Sequence, residues 1–187
     1  GAASGYRWFV PARANFASIA LSAVNAKICQ LLGNTRFNLA WGGSMAIRAD
    51  RFREMGIEEV WQDALSDDLA LSRVVRKAHK KMVFVPACMI ASHQSTDWPS
   101  FFEFARRQFV ITRVYTPKAW LFGLFGSSLS VLGLWGSLAM AIAFSPNLLL
   151  LLLPILFVIF KVFRSALRQH LAVQLLPGEK GSLGPAR

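Results

Sequence analysis

From Ala119 to Phe160 the chain runs for 42 residues without a single charged side chain. A membrane-spanning helix needs about 20 apolar residues, so the run is long enough for two. Ser145-Pro146-Asn147 interrupts it near the middle, as a tight turn would. The first half, about Ala119–Phe144, carries Gly123, Gly126, Gly133 and Gly136 with several serines, and such small residues let helices pack closely in lipid. The second half, Leu148–Phe163, is short unless Lys161 reaches back to the interface, and it contains Pro154, which a membrane helix tolerates. A two-helix transmembrane hairpin is expected. A re-entrant hairpin is the alternative; a buried soluble hairpin lacks the apolar surface to cover it.

The other 145 residues are unlike the hairpin in charge. Overall the chain is 54% hydrophobic and 17% charged, against about 45–50% and about 25% for a soluble domain. Its 15 Phe and 6 Trp exclude a disordered chain. The net charge of +11 is uneven: five bases and no acid up to Ala49, near balance from Asp50 to Trp98, then nine bases against Glu103 and Glu179. Much of the surplus flanks the apolar run, which favours a membrane surface over nucleic acid, and no zinc-finger or RNA-recognition spacing supports the latter. Arg106, Arg107, Arg113 and Lys118 precede the run, and Lys161, Arg164 and Arg168 close or follow it. Positive-inside counting puts both ends in the cytoplasm. Cys29 and Cys88 are too few and too far apart for a disulfide scaffold and read as buried thiols in a reducing compartment. The chain opens at Gly1 without a signal-peptide pattern, and we read it as a piece of a longer protein.

Ala14–Leu32 places Phe16, Ile19, Ala20, Ala23, Val24, Ile28 and Leu31 at helical spacing, an amphipathic helix packed on a core or a membrane surface. Trp41-Gly42-Gly43-Ser44 reads as a glycine turn entering a short strand through Ile47, followed by a short helix at Asp50–Met55 that Gly56 stops. Ser66 is a good N-cap for a helix that opens with Asp67 and Asp68 and carries Arg73, Arg76 and Lys77 farther on. On residue types alone the two acids serve either helix capping or catalysis. Lys81–Ala91, through Pro86, reads as a strand with His93 at its end, either a structural hydrogen-bonder or a ligand. Gly and Pro make Pro177–Arg187 a disordered end.

Taken in order, the glycine turn, strand, short helix, acidic helix start, Val-Pro strand and His resemble the C-terminal half of the catalytic domain of inverting, A-fold nucleotide-sugar glycosyltransferases of family 2. Within these the ceramide glucosyltransferase branch and its bacterial relatives are most similar, over about Tyr6–Tyr115. The resemblance implies Asp68 as the catalytic base, with Asp67 standing where the family has Glu. Neighbours on a helix point about 100° apart, so one base and one capping or positioning acid is the expected division. It implies Trp41, Gly42 and Gly43 as the acceptor-side loop. The family's Gln-x-x-Arg-Trp motif is absent; Gln108-Phe109 stands where Arg-Trp is expected, so Arg107, Gln108 and Arg113 are the candidate donors to a diphosphate. The same stretch also reads as a basic, aromatic interfacial helix. His93 is a possible metal or diphosphate contact.

The expected fold class is therefore α/β, the incomplete C-terminal part of an A-type transferase fold, followed by an interfacial helix and a transmembrane hairpin. Its expected parts are an acceptor-side half at 1–98, the interfacial helix at 99–118, two spans at 119–163 and a basic cytoplasmic tail at 164–187. No Asp-x-Asp motif and no nucleotide-binding glycine fingerprint occurs. The donor half is expected upstream, the chain alone is expected to be inactive, and a divalent metal (Mg or Mn) is expected in the full-length enzyme with ligands mainly outside this chain. The expected partners are a nucleotide-sugar donor, a lipid acceptor and a membrane, such as the bacterial inner membrane, with a hexose (glucose from UDP-glucose) moved to a lipid hydroxyl such as ceramide. The alternatives are a polysaccharide synthase of the same family and a non-catalytic basic adaptor on a membrane surface.

Overall fold

A computed structural model describes residues 1–144, 148–179 and 181. Ser145, Pro146 and Asn147, expected as the hairpin turn, lie outside the described residues, as do Lys180 and residues 182–187 of the expected tail. The elements run β1 (Ala2–Pro11), α1 (Phe16–Cys29), β2 (Met45–Ile47), α2 (Ala49–Glu54), α3 (Ile57–Gln62), α4 (Asp67–Lys77), β3 (Met82–Gln94), α5 (Trp98–Tyr115), α6 (Pro117–Ala143) and α7 (Leu148–Leu175). The architecture is mixed α/β. The sheet has the order β2-β1-β3, with β1 antiparallel to β2 and parallel to β3.

The central strand β1 has no counterpart in the sequence reading. Its partner β3 contains Pro86, which an uninterrupted ladder would not accept. The register explains the proline: Ser4 faces Phe84, but Tyr6 already faces Met89, so β3 bulges between them. Opposite that bulge a Cβ on Gly5 would lie 2.1 Å from the Cys88 carbonyl oxygen, so only glycine fits. The bulge also leaves Cys88 exposed, which corrects the expectation of a buried thiol; Cys29 is half-buried.

Helix α1 forms within its expected span but turns a different face inward. Asn15 caps it, its Oδ1 accepting from Ser18 N at 2.7 Å. Ala17, Ser18, Leu21, Asn25 and Ala26 are buried, while Phe16, Ile19 and Val24 of the predicted apolar face are exposed. Hydrogen bonding decides this. Past the three residues paired with β2, the far edge of β1 has no strand beside it among the described residues. Asn25 takes the place of one: its Oδ1 accepts from Phe9 N at 3.0 Å and its Nδ2 donates to Arg7 O at 3.1 Å. Ser22 Oγ adds a bond to Phe9 O at 2.7 Å. Buried backbone groups left unpaired cost about 1–3 kcal/mol each, enough to outweigh the exposure of a few apolar side chains.

Two apolar clusters fill the fold. Ala2, Ala40, Ile57, Leu71, Val75 and Met82 gather beneath α3 and α4. Tyr6, Trp8, Val10, Ala26 and Met89 gather between the sheet, α1 and the end of α7, which contributes Ala172 (1% exposed) and, just beyond it, Leu176 (8%). Residues 164–175, expected as the start of a cytoplasmic tail, thus continue α7 into the core. Pro177–Glu179 forms a short 3-10 turn rather than a disordered segment, with Glu179 Oε2 2.9 Å from His93 Nε2.

Helices α6 and α7 are each long and apolar enough to cross a membrane, and almost none of either is buried in this fold. Among the described residues, Gly133 is the one expected packing glycine that meets a neighbour: a Cβ there would lie 2.6 Å from Phe157 Cζ, whereas Gly123, Gly126 and Gly136 have none of those residues within 4 Å. Thr116 ends α5 and begins α6, so the two are separated by one residue.

Candidate active site

The loop before β2 is held by three consecutive backbone N–H groups, each taken by a different side chain. Ala40 N donates to Ser72 Oγ at 2.7 Å, Trp41 N to Ser4 Oγ at 2.9 Å and Gly42 N to Asp68 Oδ2 at 2.8 Å. Ser72 lies one turn after Asp68 and donates to the Asp68 carbonyl at 2.9 Å, so α4 grips the loop at two points. Gly43 follows with φ +93°, a left-handed backbone that favours glycine. Ser44 Oγ donates to Cys88 O at 2.6 Å, fixing the loop's far end to β3.

Asp68 is half-buried and Asp67 exposed. Ser66 occupies the N-cap position of α4, but its hydroxyl bonds Asp68 Oδ1 instead of capping a backbone N–H. The acids do the capping instead: Leu69 N donates to Asp68 Oδ1 at 2.7 Å and Asp68 N to Asp67 Oδ1 at 2.9 Å. Asp68 therefore caps the helix start and also faces the loop. Its Oδ1 accepts two hydrogen bonds, whereas Oδ2 accepts only that of Gly42 and keeps acceptor capacity on the loop side. Despite their angular separation both acids reach Gly42: a Cβ there would stand 3.2 Å from Asp68 Oδ2 and 3.8 Å from Asp67 Oδ1.

Trp41 is half-buried with its ring 4.6 Å from that of Tyr6, so part of its surface packs on the core. Arg107 and Arg113 lie on α5, one guanidinium 5.9 Å from the Phe104 ring centre and the other 5.4 Å from that of Trp120. Gln108 is half-buried on the same helix. The tie from α5 to the acidic segment runs through Tyr115, whose hydroxyl accepts from Leu65 N at 2.9 Å. His93 Nε2 is engaged by Glu179. Among the described residues no three His, Cys, Asp or Glu side chains converge as a metal site.

The geometry is that of a carboxylate presented at a glycine loop beside the start of a helix, with a helix leading from it into two long apolar ones. The family model described as Glycosyl transferase family 21 matches residues 11–180, from the end of β1 past the end of α7. The chain belongs to glycosyltransferase family 21. No curated protein and no solved structure matches it. The family found is thus the ceramide glucosyltransferase-like family 21, where the sequence resemblance named that branch under family 2. The match takes in both apolar helices, so in this family 21 chain the hairpin is part of the matched region.

Ser4, Ser72 and Tyr115 escaped the sequence reading. Only Ser72 left a trace there, standing four residues after Asp68 on the same helical face.

Proposed function

We propose that this family 21 chain transfers a hexose, glucose from UDP-glucose, onto the hydroxyl of a membrane lipid such as ceramide, with inversion at the anomeric carbon. Asp68 is the general base. The acceptor oxygen attacks the anomeric carbon as its proton passes to Asp68 Oδ2; the bond from that carbon to the diphosphate oxygen breaks, and the diphosphate leaves with the electron pair. The observation that carries this reading is the 2.8 Å bond from Gly42 N to Asp68 Oδ2, which holds a half-buried carboxylate against a loop where no side chain intervenes. Asp67 positions, through the Asp68 backbone N–H.

In this reading α6 and α7 cross the membrane with both ends cytoplasmic, and α5 lies in the interface with Trp98, Phe102 and Phe109 toward lipid. Tyr115 then joins the place where an acceptor lipid arrives to the segment that leads into the acids. Trp41, Gly42 and Gly43 line the acceptor's approach, and Arg107, Gln108 and Arg113 are available to the donor diphosphate. The three-stranded sheet is the acceptor-side part of an A-type fold. The nucleotide and a divalent metal (Mg or Mn) are held in the full-length enzyme mainly by residues outside this chain.

The test is glycolipid formation by full-length protein carrying Asp68→Asn, beside Asp67→Asn. Loss of transfer by about a hundredfold or more in Asp68→Asn, with a smaller loss in Asp67→Asn, is expected for removal of a general base. Undiminished transfer by Asp68→Asn rejects the assignment.

A further inference from the structure

Arg7 is unused in the mechanism above, yet it stands at the site. It follows Tyr6 on β1 and so leaves the sheet on the opposite face. Its Cδ lies 3.3 Å from where a Cβ on Gly43 would be, and its Nη2 donates to Ser92 Oγ at 2.9 Å. The guanidinium carbon is 5.6 Å from the Phe9 ring centre. Phe9 in turn meets Phe104 of α5 edge-on at 6.0 Å, with Arg107 on Phe104.

Two features point to a ligand. Arg7 is half-buried, and among the described residues no carboxylate pairs with it. A cation drawn partly out of water without a counter-ion is costly unless something anionic joins it. Gly43, beside the Arg7 stem, also lines a cavity of about 460 Å³ whose other walls include Gly5, Ser44, Met45 and Val85 but not Arg7 itself. The neighbouring Gly42 carries Asp68. One two-glycine step, its Cα atoms about 3.8 Å apart, therefore has the Asp68 carboxylate on one residue and the stem of Arg7 beside the next, with the guanidinium farther on at Ser92 and Phe9.

We propose that Arg7 binds the diphosphate of the donor, across the glycine step from Asp68. This rests on the reading of Asp68 as base. An inverting displacement requires the base and the leaving group on opposite sides of the anomeric carbon, and the planar guanidinium fork suits a diphosphate that gains charge as the bond breaks. Ser92 and Phe9 hold the fork in place, and the aromatic pair ties it to α5.

The test measures binding of inorganic pyrophosphate to full-length protein in lipid nanodiscs by equilibrium dialysis. Arg7→Gln weakens binding by about fivefold or more, the range expected for a charge-assisted hydrogen bond. Arg7→Lys keeps the charge but not the fork and loses less, yet still about threefold. Asp68→Asn binds as tightly as the wild type or tighter, because a like charge is gone. A smaller effect of Arg7→Gln, or no binding by the wild type, overturns the assignment. Should Arg7→Gln fail to fold, equal binding by Arg7→Lys and wild type overturns it. The transfer assay of Asp68→Asn judges the base separately, since pyrophosphate binding requires no turnover.

Discussion

Gly42 N and Asp68 Oδ2 are 2.8 Å apart, and that bond ties the glycine loop to the first turn of α4. A methyl group on Gly42 would crowd the same oxygen at 3.2 Å and its carbon at 3.7 Å, so the carboxylate would have to yield by a few tenths of an ångström. Gly42→Ala should lower glycolipid formation by about tenfold or more, since small misplacements of reacting groups are expensive. Gly33→Ala, where nothing stands within 4 Å, should leave activity unchanged. Assaying both variants side by side checks this.

Asn25 is 2% exposed and serves as a substitute strand for β1. Asn25→Leu keeps volume but strands the Phe9 N–H and the Arg7 carbonyl, at about 1–3 kcal/mol each. Thermal unfolding should show a loss of that order. Ile19→Asn, on the exposed face of the same helix, should cost little by the same measurement.

Gly133 is where α6 admits Phe157 of α7. Gly133→Leu should separate the two helices and lower the thermal midpoint in detergent, while Gly126→Leu, facing open space, should not. Thermal scans of the two variants in one detergent decide it.

Burial pushes the Cys29 thiol up to about 11, so that near pH 8 about one molecule in a thousand carries the reactive thiolate. Cys88 is exposed on the β3 bulge. Maleimide at pH 8 should therefore modify Cys88 first, and in Cys88→Ser the remaining slow labelling of Cys29 should rise about tenfold per pH unit until pH passes the thiol's pKa. Mass spectrometry of timed samples reads both.

The apolar helices were legible because composition alone marks them: no charge interrupts the run, and helical structure follows at Pro117–Ala143 and Leu148–Leu175. The order of glycine turn, short strand and acidic helix was legible for a similar reason, since glycine, β-branched residues and helix-start acids each carry local preferences. What escaped was non-local. Strand β1 breaks the alternating pattern at Ser4 and Gly5, which are there for the bulge and the loop, not for a face. The apolar spacing of α1 pointed to Phe16 and Ile19, but the unpaired edge of β1 selected Ser22 and Asn25 instead. A hydrogen-bond demand that arises only after strands assemble leaves no periodic mark. Asp68 combines both cases: its place at a helix start could be read, its grip on Gly42 could not.

Ala172 and Leu176 give the apolar hairpin a structural hold on the part of the chain that carries the acids. A chain ending anywhere in α6 or early α7 would lack the two side chains that pack with Tyr6 and Trp8. From residue 163 to residue 172 the helix climbs only about 14 Å. With α7 in a bilayer, a change in bilayer thickness or helix tilt would reach the central strand through these two residues, and the lipid environment becomes a variable in the fold itself.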